Sequence, residues 1–196
     1  MDEIVRQAMA KWPNVPYCYG WLALDARGGW RMRDDEAQKA GLPGDRIANA
    51  TLLGFINRNY THDDQGRWYF QNGPQRVYVD LEATPFIART DPAQGFLLQT
   101  GEALTHIDQA CMTERGQLIL QSGDKVALLD DRDLAQCTAA LSIDGAPASD
   151  DALMAWLSAP APAPMSMRHQ GRELAVRRVG SDELATRFGF VARPRA

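Results

Sequence analysis

The chain has 196 residues, of which 45% are hydrophobic, enough for one large domain or two small ones with a real core. No apolar run approaches the roughly 20 residues that a membrane-spanning helix needs. The N-terminus carries acidic residues early and no apolar segment of the secretory type. Three widely spaced cysteines favour a reducing compartment, so we expect a cytoplasmic protein that is neither disordered nor bound to a membrane.

The net charge of −4 conceals an asymmetry along the chain. Residues 165–196 contain seven arginines and three acidic residues, a balance of +4, while the remainder carries 14 bases and 22 acids, a balance of −8. A basic end beside an acidic body can bind an anionic partner or dock on the body itself. The sequence leaves both interpretations open.

Four segments follow the β-hairpin pattern of a strand-like run, a polar turn containing glycine and a second strand-like run. They lie at residues 19–33, 59–71, 105–121 and 165–177. A glycine near the end of each turn supplies the positive φ of a type I turn followed by a bulge. Further turns at residues 72–74 and 122–124 add a third strand to the second and third hairpins, which predicts two meanders.

The predicted helices are short, and the residue types that cap helices indicate where three of them begin: Asp45, Ser149 and Ser181. Helices are expected at residues 34–40, 46–57, 130–137, 150–158 and 182–188. Since the strands occur in hairpins and do not alternate with long crossover helices, we expect an α+β fold of mainly antiparallel hairpins and meanders with short helices.

A turn-rich stretch at residues 90–95 predicts a boundary between two small lobes, residues 1–92 and 93–196. The N-terminal lobe would hold a hairpin, a helix and a meander, and the C-terminal lobe would be β-rich. Within the second lobe, the proline-rich residues 159–164 are typical of a stiff extended linker, after which a terminal hairpin and helix return. A strand pair followed by a helix, a ββα-type unit, would then repeat in both lobes.

The stretch from Gly29 to Arg89 contains the string FINRNY…D..GRW.FQNGPQRVYV.LE.TP. It resembles a proteobacterial family of unknown function that this string typifies. Its layout is also similar to a second uncharacterised bacterial family, with a Gly-x-Trp strand, a helix rich in Leu and Phe, and an Asp-Gly hairpin. That resemblance implies two small α/β lobes with repeated hairpin-plus-helix motifs and a role in ligand binding or signalling. This chain has Asn72-Gly-Pro-Gln75 where the second family has Thr-Pro-x-Glu, which leaves the fold but puts a shared ligand in doubt.

The most informative polar cluster joins residues 58–60 with residues 71–76. From it and the strand that follows we take five candidate ligand-binding residues: Arg58, Asn72, Gln75, Arg76 and Tyr78. Arginine and amide groups are costly to bury without partners, so these side chains are expected to line a polar groove. The alternative is that each has a local role, with Asn72 setting a turn and Arg76 pairing with a carboxylate. The leading hypothesis is a non-enzymatic binding or signalling module for a small molecule or peptide, with no cofactor or metal. An open edge strand is compatible with an oligomer, but no residue argues for one.

A second hypothesis is an enzyme of unknown class that uses carboxylates near His106 and Asp108. On a strand these two residues share one face and Cys111 lies on the other, so one zinc ion cannot easily bind all three. Further carboxylates could supply an acid/base pair, although a run such as residues 130–133 is more typical of a solvated helix start. These carboxylates are Asp80, Glu82, Asp124, Asp130, Asp131 and Asp133.

A third hypothesis is nucleic-acid binding, through the Arg-rich segment 165–196 or through aromatic residues near Arg67 and Arg76. The aromatic candidates are Trp68, Tyr69, Phe70 and Tyr78. Trp68 and Phe70 share one strand face, so half of the set must belong to the core. The acidic body would repel a polyanion, and this hypothesis is disfavoured for that reason.

Overall fold

The computed structural model describes residues 1–196 and divides the chain into two compact units. Unit 1 consists of Met1–Pro85 together with Ala185–Ala196, and unit 2 is Phe86–Leu184. None of the helices combines the length and the apolar character that crossing a bilayer requires.

Unit 1 is built on one six-stranded sheet with three helices. Its elements are α1 Glu3–Lys11, β1 Cys18–Leu24, β2 Trp30–Met32, α2 Asp35–Ala40, β3 Asp45–Arg46, α3 Ala50–Arg58, β4 Tyr60–His62, β5 Trp68–Asn72 and β6 Gln75–Leu81. The strand order is β3-β2-β1-β6-β5-β4. The first predicted hairpin is β1–β2, and the first predicted meander is β4–β5–β6. The central pair, β1 and β6, is parallel.

One face of this sheet packs on the apolar side of α3. Phe55 of α3 meets Phe70 of β5 edge to face, with ring centroids 5.3 Å apart. The indole Nε1 of Trp30 donates to the Oδ1 of Asn57 at 2.8 Å, which ties the first hairpin to the same helix. The register places Leu22 beside Val79, so alternate residues of the central strands also point into this core.

Unit 2 is built on one nine-stranded sheet with two helices. Its elements are β7 Phe86–Asp91, β8 Gly95–Leu98, β9 Gln109–Thr113, β10 Leu118–Ser122, β11 Lys125–Leu129, α4 Leu134–Thr138, β12 Leu141–Ile143, β13 Ala146–Pro147, α5 Asp150–Ser158, β14 Met165–His169 and β15 Arg172–Val179. A sixth helix, α6 Leu184–Phe188, begins at the last residue of unit 2, and its other residues belong to unit 1. The strand order is β13-β12-β14-β15-β9-β10-β11-β7-β8. The middle strands are buried on both faces, as the run of buried residues from Val126 to Asp130 illustrates. A short 3₁₀ turn, Asp131–Asp133, leads into α4.

The α+β class and the repeated unit are confirmed. Four antiparallel strand pairs are each followed directly in the chain by a helix: β1–β2 by α2, β10–β11 by α4, β12–β13 by α5, and β14–β15 by α6. Ten of the strand pairings are antiparallel and three are parallel. In both units the last strand of a meander lies parallel to the first strand of the preceding hairpin, β6 to β1 and β11 to β7. The hairpin pattern does not reveal these parallel pairings.

The turn of the fourth hairpin differs from the expected type. Both Gln170 and Gly171 have positive φ, 48° and 75°, and His169 pairs directly with Arg172. This is a two-residue turn of type I′, whose twist suits a hairpin, and not a type I turn with a bulge.

A helix was predicted at residues 46–57 with Asp45 as its cap, and the predicted start is wrong. Asp45 and Arg46 form β3, which pairs with β2, and the helix begins at Ala50. The side chain of Asn49 caps it by accepting from Leu52 N at 2.9 Å. Backbone hydrogen bonds to a neighbouring strand therefore override a good capping residue at position 45. Helix α1 was not predicted from the sequence.

The division between the units also differs from the expected boundary after residue 92. Strand β7 begins at Phe86 and pairs with β8 and β11, so residues 92–94 form a turn inside unit 2. The proline-rich residues 159–164 connect α5 to β14 within that same unit, where Trp156 Nε1 donates to Ala163 O at 2.8 Å. The residues from Ala185 onward belong to unit 1.

Candidate functional site

The second face of the six-stranded sheet carries polar and aromatic side chains. The register pairs Tyr69 with Tyr78 and Ala23 with Asp80, so these residues lie on the face opposite to Phe70 and Val79. We call this surface the polar face. Its charged and aromatic members come from β1, β2, β5, β6 and the segment 185–196.

Tyr78 is the buried centre of a tyrosine cluster on the polar face. Tyr19 stacks on it with ring centroids 4.7 Å apart and planes 3° from parallel. Tyr17 and Tyr69 meet it edge to face at 5.7 and 5.6 Å. The Tyr78 hydroxyl donates to Asp63 Oδ2 at 3.0 Å. Burial and the hydrogen bond to the Asp63 carboxylate raise the pKa of Tyr78, so its hydroxyl stays protonated.

Two arginines lie on the rings of the tyrosine cluster. The Arg76 guanidinium is 4.6 Å from the Tyr69 centroid and 5.5 Å from that of Tyr17. The Arg67 guanidinium is 4.9 Å from the centroid of Tyr78. Such cation–π contacts are worth roughly 0.5–2 kcal/mol, depending on desolvation. The expected carboxylate partner of Arg76 is thus replaced by aromatic rings.

Arg67 also binds the carboxylate at the hairpin tip. Its Nε is 2.8 Å from Asp63 Oδ2. Burial would raise the pKa of Asp63, but the hydrogen bonds from Arg67, Tyr78 and Gln65 outweigh it, so the pKa is lowered. Asp63 therefore stays ionised beneath the cluster.

Next to the tyrosine cluster, Asp80 holds two arginines from distant parts of the sequence. Arg33, which follows β2, donates to Asp80 Oδ2, and Arg195 binds both oxygens at 2.8 and 3.2 Å. The side chains of Asp80 and Arg33 are only 7% and 16% exposed, whereas that of Arg195 is 57% exposed. The buried carboxylate is therefore compensated by one buried and one solvent-facing guanidinium.

A β-bulge in β1 positions Tyr19 between these two groups. Cys18 pairs with Val77 and Leu22 with Val79, so three residues of β1 lie opposite the single residue Tyr78. Gly20 has φ of +80°, and a Cβ there would collide with the Gln38 side chain. A bulge re-aims neighbouring side chains, and here Tyr19 both stacks on Tyr78 and borders a groove.

The arginine groove, as we call it, has a volume of about 290 Å³. Its lining side chains include three arginines and one carboxylate, and the full set is Tyr19, Gly20, Arg33, Gln38, Gly41, Asp80, Arg193 and Arg195. An adjoining groove of about 220 Å³ shares Arg33, Asp80 and Arg193 with it and extends towards Arg31. Arg193 is exposed and forms no ion pair, so its guanidinium is available to a ligand.

The structure brings together two of the five candidate residues. Arg76 and Tyr78 lie on the polar face. Gln75 alternates to the other face of β6 and donates to Pro16 O at 3.1 Å. Asn72 ends β5 beside the turn, and Arg58 ends α3, where its Nε is 3.3 Å from Asp2.

The sequence did not predict the arginine groove as a site. Asp80 was a candidate only for an acid/base pair, and Arg193 and Arg195 only as part of the Arg-rich segment 165–196. Arg33 and Asp80 are 47 positions apart, and Arg195 lies 115 positions beyond Asp80. Only the alternation that places Arg76, Tyr78 and Asp80 on one face of a strand could have indicated that Asp80 belongs with the other two.

His106 and Asp108, the central residues of the enzyme hypothesis, lie in unit 2. His106 Nε2 is 2.8 Å from Asp108 Oδ1, and both side chains are about half exposed. A backbone hydrogen bond from Gly123 and the nearby imidazole lower the pKa of Asp108, which is the opposite of what a general base near neutral pH needs. Cys111 is buried in β9, and no three metal-ligating side chains converge in the chain.

The carboxylates at residues 130–133 begin the 3₁₀ turn that leads into α4, as expected, but they are only partly solvated. Asp131 is exposed, whereas Asp130 and Asp133 are buried. The buried carboxylates have partners, since Asp130 binds Arg132 and Asp133 accepts from Thr90 N at 2.8 Å.

The seven C-terminal arginines are divided between the units. Four lie on β14 and β15 in unit 2, and three, including Arg193 and Arg195, lie in unit 1.

Comparison with known proteins identifies the family of this chain. Residues 1–195 match the model of the DUF2944 family, whose description is "Protein of unknown function (DUF2946)". The chain belongs to the DUF2944 family. The expected resemblance to an uncharacterised family with a two-lobe layout is confirmed. No curated protein matches the chain, and no specific function follows for this DUF2944 protein from its family.

Two solved structures are similar to this DUF2944 protein. A DUF1285 family protein from Silicibacter pomeroyi DSS-3 has 12% identity and a TM-score of 0.51, covering 94% of this chain and 98% of that one. A DUF1285 family protein from Shewanella baltica OS155 has 14% identity and a TM-score of 0.40, covering 57% of this chain and 85% of that one. At such identity the first likeness shows the fold alone.

Proposed function

We propose that this DUF2944 protein is a non-enzymatic binding module that holds a small anionic ligand in the arginine groove. The observation that carries the proposal is the convergence of Arg33, Arg193 and Arg195 around the single carboxylate of Asp80. The groove therefore carries an excess of positive charge on a protein whose net charge is −4.

The chemistry of the three arginines supports an anionic ligand. A guanidinium presents a planar fork of donors that matches the two oxygens of a carboxylate or phosphate. Asp80 already accepts hydrogen bonds from Arg33 and Arg195, so the guanidinium groups of both arginines are held in place before a ligand binds. Arg193 has no such partner and would form the new ion pair.

Arg76 and Tyr78 remain in the proposal as positioning residues. Tyr78 supports the ring of Tyr19 at the edge of the groove, and Arg76 packs on the rings around it. The cytoplasm is the proposed compartment, because the free cysteines Cys18, Cys111 and Cys137 suit a reducing environment.

The test is isothermal titration of the full chain with inorganic phosphate, sulfate and small mono- and dicarboxylates. We expect at least one of them to bind and to raise the melting temperature, and Arg193→Ala to weaken binding about tenfold or more, the loss of one charge-assisted hydrogen bond. Arg177→Ala is the matched control, since this exposed arginine of β15 lies outside the groove. Equal affinity of Arg193→Ala and the wild type would refute the site.

A further inference from the structure

We infer that the ligand of the arginine groove carries an aromatic ring joined to its anionic group, as a nucleoside monophosphate does, and that this ring stacks on Tyr19. The inference rests on the proposed function and specifies its ligand class. It follows from the position of Tyr19, which lines the same groove as Arg193 and Arg195.

One face of the Tyr19 ring is covered by Tyr78 in a nearly parallel stack, 4.7 Å between centroids and 3° between planes. Tyr19 is half-buried and borders the groove. A planar ring entering the groove can extend this stack by one member while its anionic group reaches the guanidinium groups.

The position of Tyr19 is set before a ligand binds. Tyr78 beneath it is fixed by the edges of Tyr17 and Tyr69 and by a hydrogen bond to Asp63. The bulge at Gly20 holds the backbone on the other side, where Gly20 O accepts from Arg33 Nε at 3.0 Å. Gly20 therefore connects the two residues, since it follows Tyr19 in the chain and binds Arg33 through its carbonyl oxygen. A platform fixed in advance costs little conformational entropy when it binds.

The geometry favours a single ring over a nucleic-acid strand. Tyr69 and Tyr78 are almost fully buried, so they cannot receive bases. Tyr17 is exposed but does not line the groove, so only Tyr19 adjoins the arginines there. A groove of about 290 Å³ is at the lower end of the range for small-molecule sites, about 300–1,000 Å³. Gln38, whose side chain lies against Gly20, adds an amide to the wall for contact with a ring edge.

The test compares three probes on the full chain by calorimetry: adenosine 5′-monophosphate, ribose 5-phosphate and inorganic phosphate. We expect the nucleotide to bind about 5- to 100-fold more tightly than ribose 5-phosphate, the gain associated with one base–aromatic stack. Tyr19→Phe keeps the ring and should keep this preference, whereas Tyr19→Ala and Tyr19→Leu should abolish it. Upfield shifts of the adenine H2 and H8 resonances in the wild type, absent in Tyr19→Leu, report stacking independently of affinity.

The outcomes separate the two proposals. If phosphate and ribose 5-phosphate bind as tightly as the nucleotide, the aromatic ligand class is refuted and the anion site stands. A nucleotide preference that persists in both Tyr19→Ala and Tyr19→Leu also refutes it, because the ring would then lie elsewhere. Should none of the three probes bind, the nucleotide class is refuted, and the carboxylates of the first titration decide the anion site separately. If Tyr19→Ala does not fold, the comparison of Tyr19→Leu with Tyr19→Phe still tests whether the ligand stacks on the ring of Tyr19.

Discussion

At the scale of single residues, Asp80 combines two roles that conflict. Its carboxylate is almost fully buried and is compensated by Arg33 and Arg195. It also competes with any anionic ligand for the same two guanidinium groups. Removing its charge should therefore affect stability and affinity in opposite directions.

We predict that Asp80→Asn lowers the free energy of unfolding by about 3 kcal/mol, because it leaves the buried charge of Arg33 without its partner. The same change should tighten anion binding, since no internal carboxylate then opposes the ligand. Urea unfolding and phosphate titration of one sample measure both effects. Glu102→Gln is the control, because it removes a surface ion pair with Lys125 and should change stability by less than about 1 kcal/mol. Weaker anion binding by Asp80→Asn would show that Asp80 acts mainly by orienting the arginines.

At the scale of elements, buried carboxylates fasten the 3₁₀ turn before α4 to the sheet of unit 2. Asp130 N donates to Ala88 O, and the Asp130 side chain accepts from Arg132 N at 3.0 Å and Arg132 Nε at 2.8 Å. These hydrogen bonds from Arg132 lower the pKa of Asp130 from 3.8 to about 2. The turn is thus stabilised by an ionised group.

A pH dependence follows from this lowered pKa. The folded state binds the Asp130 proton less tightly than the unfolded state, so the stabilisation is complete above about pH 4 and is lost as the pH falls towards 2. We expect it to be on the order of 1–2 kcal/mol, since the Arg132 side chain is half exposed and screened. Urea unfolding at a series of pH values should show a shallower decline between pH 4 and 2 for Asp130→Asn than for the wild type. Parallel curves for the two proteins would contradict the assignment.

The elements also show what the sequence could predict. The hairpins at residues 19–33 and 59–71 were predictable, because strand alternation and the turn glycines Gly28 and Gly66 are local signals. The start of α3 was not, because Asp45 is a good cap by type and only its pairing with β2 makes it a strand residue. The parallel pairings were not predictable either, since a hairpin pattern carries no information about strands that lie 41 or more positions away in the sequence.

The site was predictable only where its residues are neighbours on one strand. Arg76 and Tyr78 lie two positions apart on one strand, so their shared face follows from periodicity. Arg33, Asp80 and Arg195 meet only because β6 pairs with β1 and the segment 185–196 returns to unit 1. The ion pair of Arg58 with Asp2 could not be predicted for a similar reason, since Asp2 directly precedes α1, which the sequence did not indicate.

At the scale of the whole molecule, unit 1 is discontinuous and unit 2 is a single stretch of chain. The segment 185–196 is attached to unit 1 by backbone hydrogen bonds, Val191 N to Gly66 O at 2.9 Å and Leu81 N to Ala192 O at 2.7 Å. Phe190 is buried in addition. A fragment that stops at the expected boundary, residue 92, lacks all of these contacts.

We predict that residues 1–92 alone unfold more easily than a chain in which a short Gly/Ser linker replaces residues 86–184 and keeps 185–196. Burial of the Phe190 side chain alone should contribute about 2 kcal/mol. Residues 86–184 should melt cooperatively by themselves, as a contiguous unit does. Thermal unfolding followed by circular dichroism compares the three proteins. Equal melting temperatures for residues 1–92 and the linked chain would show that the segment 185–196 contributes nothing to unit 1.

The return of the segment 185–196 has a consequence for synthesis on the ribosome. Unit 1 holds the first 85 residues, yet Asp80 cannot meet Arg195 until the ribosome has added more than 100 further residues. At typical elongation rates of about 5–20 residues per second this takes on the order of 5–20 s. Unit 2 is complete earlier, so the half of the protein that is encoded second can reach its final fold first. During that interval the nascent N-terminal sheet leaves Gly66 O and Leu81 N without the hydrogen bonds that Val191 and Ala192 later provide, and it is then most open to chaperones.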